Sequence, residues 1–170
     1  LWTSMLTYVN LDYALTNNII HKGQEGAIRG RNTHRQITTL VNAFEDAHHS
    51  NKDIFALYID FSSAFSLIDQ DKLLGIMWDI GVPEDSIRVI RNIYSSGRTT
   101  VQLPAGSTDP IPITRGTIQG DPLSPLLFIF YIEPLLRWLS KGQRGYTFGC
   151  LKGQQTEINT GSGKTTLHPS

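Results

Sequence analysis

The stretch "ALYIDFSSAFSLID", residues 56–69, decides how the rest of the chain is read. Ala56 to Ile59 are apolar enough for a buried strand, and an acid, Asp60, follows directly. An unpaired carboxylate at the end of a core strand is costly to take out of water. Such an acid caps a helix, joins an ion pair, or is held there for chemistry. Behind it Ser62, Ser63 and Ala64 are small enough to leave the backbone accessible, and Phe65 presents a flat ring.

Downstream, "DQDKLLGIMWDIG" (69–81) predicts a short helix ended by Gly81, with Asp69 as a structural cap. "PEDSIRVIRNIYSSG" (83–97) repeats the pattern: Pro83 starts it, Ile87, Ile90 and Tyr94 form an apolar stripe, and Gly97 stops it. "TTVQL" and "PIPI", joined by "PAGSTD", read as a hairpin. Pro110 and Pro112 make its second arm an edge or irregular strand. "GTIQGDPLSPLLFIFYIEPLLRWL" then opens a helix that Asp121 caps and Pro122 enters in the first turn. Its apolar residues cover most of the circumference, which predicts burial on several sides. Pro134 should kink or end it.

Upstream, Met5, Leu6, Val9 and Tyr13 have helical spacing, and "NIIHKGQEGAIRGRN" (18–32) reads as loop. Ile37, Leu40, Val41, Phe44 and Ala47 predict a second helix, capped by Asn32 or Thr33. His48 and His49 mark its end; adjacent positions diverge around a helix, so solvated histidines fit better than a metal pair. Helices mixed with strands and one hairpin indicate an α+β domain, a small antiparallel sheet packed with helices on one face. It should occupy 1–150. The polar Gly/Thr/Ser-rich residues 151–170 are expected to be disordered.

The bulk numbers constrain less. A chain of 170 residues is one domain by the length prior. Fifteen Lys+Arg balance fifteen Asp+Glu, so no overall field points to nucleic acid. Lys22, Arg29, Arg31 and Arg35 do cluster locally, against Glu25 alone. The single cysteine, Cys150, excludes an intrachain disulfide and fits a reducing compartment, nucleus or cytoplasm. No apolar run approaches the ~20 residues that span a bilayer, so no membrane partner is expected. The amino end lacks the pattern of a secretion signal, and because it opens on leucine the chain reads as a piece of something longer.

"GSGKTT" at 161–166 imitates a phosphate-binding loop. That loop needs a glycine where Ile158 stands, a buried strand before it and an apolar helix after it. None is present in the sequence, and the nucleotide-hydrolase reading is set aside.

A better candidate is "RGTIQGDPLSPLLF" (115–128), a glycine-flanked glutamine just before the apolar helix. An acid, an aromatic ring and an amide-plus-glycine loop are what a nucleotide-polymerising site needs. The acid holds magnesium through hard oxygen ligands, and glycine lets a base approach the backbone.

"ALYIDFSSAFSLID" resembles motif A of reverse transcriptases and "RGTIQGDPLSPLLF" resembles motif B, in matching order and separation. "QEGAIRGRNTHRQI" is similar to the Q-x-G-F-x-x-G-R segment of non-LTR retrotransposon and group II intron-like enzymes. The resemblance runs from about residue 5 to 150, and motif B at this distance from motif A is highly specific. It implies a partial right-hand polymerase palm and fingers, extending a DNA primer along an RNA template with deoxynucleoside triphosphates. By that resemblance Asp60 is the catalytic metal ligand and the Phe61 carbonyl a second contact, in a site that uses two Mg²⁺ ions. The amides of Ser63 and Ala64 would face the triphosphate, and Phe65 would be the gate against a ribose 2'-hydroxyl. Gln119 and Gly120 would border the incoming nucleotide, while Arg115, Arg29 and Arg31 would contact template or phosphate. An endonuclease domain is expected in the parent protein.

The departures are specific. No Tyr-x-Asp-Asp, the family's motif C, occurs in the chain, and no Arg-Pro-Ile segment precedes motif A. Ala27 stands where phenylalanine is usual, and Ser66 where Asp or Asn is common. The isolated chain is therefore expected not to polymerise. Its motif A strand, lacking the hairpin it would pair with, should expose an edge. The alternative is a non-catalytic nucleic-acid-binding remnant that uses Arg29, Arg31 and Arg35 on phosphates.

Overall fold

A computed structural model describes residues 2–104, 106–142 and 145–148, together with the backbone of 158–160 and 163–165. The elements are α1 (Trp2–Thr16), α2 (Thr33–His49), α3 (Gln70–Asp79), α4 (Glu84–Ser95), β1 (Arg98–Thr99), β2 (Gln102–Leu103), β3 (Gly106–Ser107), β4 (Ile111–Pro112), α5 (Leu123–Lys141), β5 (Ile158–Thr160) and β6 (Gly163–Thr165). They fall into two compact units: Leu1–Ile20 with Phe61–Ile132, and His21–Asp60 with Glu133–Ser170.

The first unit is organised by its helices. Asp69 starts α3 by accepting the Lys72 amide at 3.0 Å. That bond, aided by the charges of Lys72 and Arg115, holds its carboxyl below the usual carboxylate range. Pro83 precedes α4, whose first turn carries Glu84 and Asp85, as the helix dipole favours. Leu73 and Met77 of α3 and Ile87, Ile90 and Tyr94 of α4 are buried, and these two helices pack together. The hairpin forms as nested ladders, Arg98 opposite Pro112 and Gln102 opposite Ser107, and all four strands are exposed. Two-residue ladders interrupted by prolines present no face wide enough to bury a helix, so the core lies among the helices. Helices and small antiparallel ribbons together make the unit α+β.

In the same unit Asp121 caps α5, its Oδ1 accepting the Leu123 amide at 3.1 Å. Leu123, Leu126, Leu127, Ile129 and Phe130 are buried along one side of the helix. Contrary to the reading of the sequence, α5 is by length and composition apolar enough to cross a bilayer. Its buried face, closed by the buried Glu133, is nevertheless the pattern of a core helix. Pro134 does not end it; the helix continues to Lys141.

The second unit holds the largest correction. Residues 52–60 form neither helix nor strand, and none of the three ladders includes them. Phe55 is 94% exposed, Leu57 82% and Tyr58 73%. A strand exists only by pairing with another, and among the described residues nothing pairs here. Asp60 is itself exposed, so the desolvation penalty that made it conspicuous does not arise. Both helices expected from the spacing of apolar residues form, but Met5, Val9, Tyr13, Ile37, Val41 and Phe44 are exposed on them, while Asn10, Ala14, Ala43 and Ala47 are buried. Asn32 does cap α2, its Oδ1 accepting the Arg35 amide. His48 and His49 are exposed at its end.

Tyr146 is tied to α2 by donating to Asp46 Oδ2 at 2.7 Å. Burial, then the neighbouring Asp46, pushes its hydroxyl up to about 12 from 10.0. The folded chain therefore keeps this proton where the unfolded chain releases it. Its stabilising effect is complete below pH 10 and is lost as pH rises from 10 towards 12. Across that window the urea midpoint of the native chain should fall more steeply than that of Tyr146→Phe. Parallel curves would show that the hydroxyl is not coupled to folding.

The expected disorder of 151–170 concerns residues that lie mostly outside the described ones. Within them β5 and β6 pair antiparallel. Gly163–Thr165 is thus a strand, where a phosphate loop would open a helix.

Candidate nucleotide site

Two turns of the first unit meet at the residues singled out in motifs A and B. The first, at 62–67, is closed on Ser63, whose carbonyl accepts the amides of Ser66 at 3.0 Å and Leu67 at 3.2 Å. Ser63 takes a left-handed φ of 53°, which costs a non-glycine residue ~1–2 kcal/mol. That cost is tolerated because the bonds around the turn over-determine it. Phe61 and Phe65 both reach Phe128 of α5, the first edge-on at 5.9 Å and the second tilted at 5.3 Å between ring centroids. Each of the two leaves over a third of its surface exposed, so the trio is a braced aromatic platform rather than sealed core.

The second turn is docked on the first through backbone. The Gly116 amide donates to the Ile68 carbonyl at 2.8 Å and the Thr117 amide to the Phe65 carbonyl at 2.9 Å. Gln70 Nε2 adds bonds to the carbonyls of Gly116, at 3.0 Å, and Ile113, at 3.3 Å. Gly116, at φ 76°, lies so close that a Cβ would stand 2.7 Å from the Ser66 carbonyl oxygen. Beyond it, Ile118 to Asp121 form a turn closed by the Asp121 amide on the Ile118 carbonyl. Gly120 has φ 84° at the position where a type II turn takes glycine. Gln119 projects from this turn, exposed.

The turn rests on buried hydroxyls. Ser124 Oγ donates to the Ile118 carbonyl at 2.6 Å. Burial pushes the Tyr94 hydroxyl above its usual range; it lies by the Ile118 backbone and Ser124, without a hydrogen bond of good geometry to either.

The structure therefore brings Phe61, Ser63, Ala64 and Phe65 together with the segment that carries Gln119 and Gly120. Arg115 is exposed, its charge acting on Asp69. Asp60, Arg29 and Arg31 belong to the second unit. Asp60 is exposed there, and Arg31 donates to the Gln24 carbonyl at 2.6 Å. Among the described residues no group of three or more His, Cys, Asp or Glu is gathered to hold a metal. Sequence reasoning missed Phe128, Gln70 and the close approach of Gly116. Only the last left a signal, a glycine beside the singled-out loop.

Comparison with known proteins identifies the family. Residues 4–151 match the family model of reverse transcriptase (RNA-dependent DNA polymerase). The retrovirus-related Pol polyprotein from type-2 retrotransposable element R2DM of Drosophila melanogaster is 33% identical over 94 residues, 54% of this chain and 9% of that protein. The Transposon TX1 uncharacterized 149 kDa protein of Xenopus laevis is 26% identical over 127 residues, 75% of this chain and 10% of that protein. The Pol polyprotein from type-1 retrotransposable element R2 of Popillia japonica is 29% identical over 118 residues, 69% of this chain and 17% of that protein. The chain thus spans less than a fifth of the length of these relatives.

Proposed function

Because the chain belongs to the reverse transcriptase family, its residues 4–151 matching that family's model, we propose that the paired turns are the nucleotide-facing part of an RNA-directed DNA polymerase site of non-LTR retrotransposon type. The observation that carries this reading is the docking of the Gly116–Thr117 backbone on Phe65 and Ile68. It holds the motif B glutamine turn and the motif A aromatic turn in register without using any side chain a substrate would need. Phe65, braced by Phe128, offers a ring to the sugar of an incoming deoxynucleoside triphosphate, and a 2'-hydroxyl would meet that ring. The Ser63 and Ala64 amides are the donors for its phosphates, and Gln119 and Gly120 border its base and sugar.

Asp60 offers a hard carboxylate oxygen that would contribute to holding a magnesium ion. Such an ion keeps several waters and takes one or two carboxylates with substrate phosphates. One carboxylate suits it only with the triphosphate present. The chemistry such ions would supply is activation of the primer 3'-hydroxyl and charge stabilisation of the pyrophosphate leaving group. The chain's own residues supply position and charge, as in phosphoryl transfer generally. Within the palm and fingers of a longer polymerase, RNA template, DNA primer and deoxynucleoside triphosphates would be its partners, with an endonuclease domain elsewhere in the parent protein.

With no Tyr-x-Asp-Asp in its sequence, the isolated chain should not extend a primer. Incubation with primed RNA, deoxynucleoside triphosphates and Mg²⁺ is expected to give no product. Extension abolished by Asp60→Asn would overturn the inactivity. The site itself is tested by photocrosslinking an azido-substituted deoxyadenosine triphosphate and mapping the modified peptides. Labels should fall on 61–65 and 119–120; labels confined to 161–166 would defeat the reading.

A further inference from the structure

Lys22, Arg29 and Arg31 lie in the loop before α2 with one acid, Glu25, and Arg35 follows in the first turn of the helix; the structure separates the tasks of the three arginines. Glu25 is buried, and its Oε1 is held by the Arg35 guanidinium, which reaches back from the first turn of α2. Arg31 Nη1 donates to the Gln24 carbonyl at 2.6 Å. Gln24 Oε1 in turn accepts the Gly26 amide at 3.0 Å, and the Arg31 amide donates to the Ile28 carbonyl. Ala27 and Gly30 take left-handed φ values of 54° and 80°, and between them Ile28 is buried. Arg29 stands exposed between the buried Ile28 and Gly30, with no hydrogen bond or ion pair among the described residues.

We propose that Arg29 is the phosphate-contacting cation of this loop and that Glu25 is its positioning residue, acting through Arg35, while Arg31 serves the loop's own backbone. The inference rests on the polymerase reading only for the identity of the ligand, the phosphate backbone of a single-stranded RNA. The physical case is local. Arg35 and Arg31 each commit one donor to the loop, to the buried Glu25 carboxylate and to the Gln24 carbonyl, and are tethered by it, whereas Arg29 has all its donors to offer. A buried acid whose Oε2 remains without a partner is an expensive component in a surface loop. It is retained here because the Arg35 pair anchors the loop to α2 and so fixes where Arg29 emerges.

The sign of one substitution distinguishes this from a merely basic surface. Glu25→Gln removes a negative charge, so a cloud of cations would bind RNA more tightly after it. A positioned Arg29 binds more weakly. Anisotropy of a fluorescein-labelled oligouridine, titrated with the purified chain over a range of salt, should show salt-dependent binding by the native chain. Arg29→Ala should weaken it several-fold and lower the log–log salt slope by roughly 0.7, one phosphate's worth on a single strand. Glu25→Gln should also weaken binding, and the double variant should be no weaker than Arg29→Ala. Should Glu25→Gln fail to fold, Gly30→Ala makes the same test without a charge change. Its Cβ would meet nothing within 4 Å, so it disturbs only the backbone that carries Arg29, and it too should weaken binding.

Salt-dependent binding by the native chain that survives Arg29→Ala and tightens with Glu25→Gln would overturn the inference and leave the polymerase reading standing. Failure of the native chain to bind at any salt would overturn the assignment of Arg29, whereas the polymerase reading is decided separately by the crosslinks.

Discussion

Replacing Gly116 with alanine is expected to destabilise the purified chain by about 3 kcal/mol, seen as a large drop in its urea midpoint. Two effects add. The left-handed backbone costs an L-residue ~1–2 kcal/mol, and forcing a methyl into a filled space costs ~1–3 kcal/mol more. The new Cβ would lie 2.7 Å from the Ser66 carbonyl oxygen and 2.9 Å from that of Phe65, both backbone atoms in a hydrogen-bonded turn. Neither can swing aside as a side chain would. Gly120→Ala is the internal control, since it shares the positive φ and meets nothing within 4 Å. It should cost only the conformational part. Equal losses in the two variants would mean that the turns are not in contact, and the proposed nucleotide site would lose its frame. Crosslinking should separate them as well, because moving Gly116 breaks the Thr117 bond that sets the glutamine turn against Phe65.

Arg137→Ala should cost ~3–5 kcal/mol, the usual result of stranding a buried charge. Glu133 is 0% exposed; its Oε1 accepts from Arg137 Nε at 2.8 Å and its Oε2 from the His21 amide at 3.0 Å. Removing the guanidinium leaves a carboxylate in the interior with one backbone donor. The reverse change is milder. Arg137 keeps 42% of its side chain in solvent, so in Glu133→Gln it turns to water, and the amide oxygen can still accept from His21. That variant should lose about 1 kcal/mol, a neutral hydrogen bond's net worth. Urea denaturation of both proteins measures the difference. If Glu133→Gln proved the more damaging, the pair would not be the buried anchor of α5 that the burial indicates.

Local signals named all five described helices. Asp69, Asn32 and Asp121 announced helix starts because a short oxygen-bearing side chain satisfies an amide that the helix cannot. The hairpin between Gly97 and Ile113 was legible from its turn residues, and its poverty from Pro110 and Pro112. The motif spacing identified the family. These are statements about neighbours in the chain, and neighbours in the chain are enough for capping and turn chemistry.

Pairing and packing were not legible in this way. "ALYIDF" has the composition of a core strand, yet residues 52–60 enter no ladder and 55–60 stand exposed, because backbone pairing needs a partner that composition cannot supply. The apolar stripe of α2 predicted its helix but, of its buried face, only Ala47; Ala43 completes that face, and Ile37, Val41 and Phe44 are exposed. Gln70 lies just after the first motif and Phe128 closes the second, and each makes its bracing contact with the other motif. Their roles appear only when the two segments are brought within bonding distance. Order along the chain sets which residues can form a helix, a cap or a recognisable motif, since those interactions close within a few residues. Which surfaces are covered, and which carbonyl a glycine must clear, depends on atoms far apart in sequence, and only the folded arrangement supplies them.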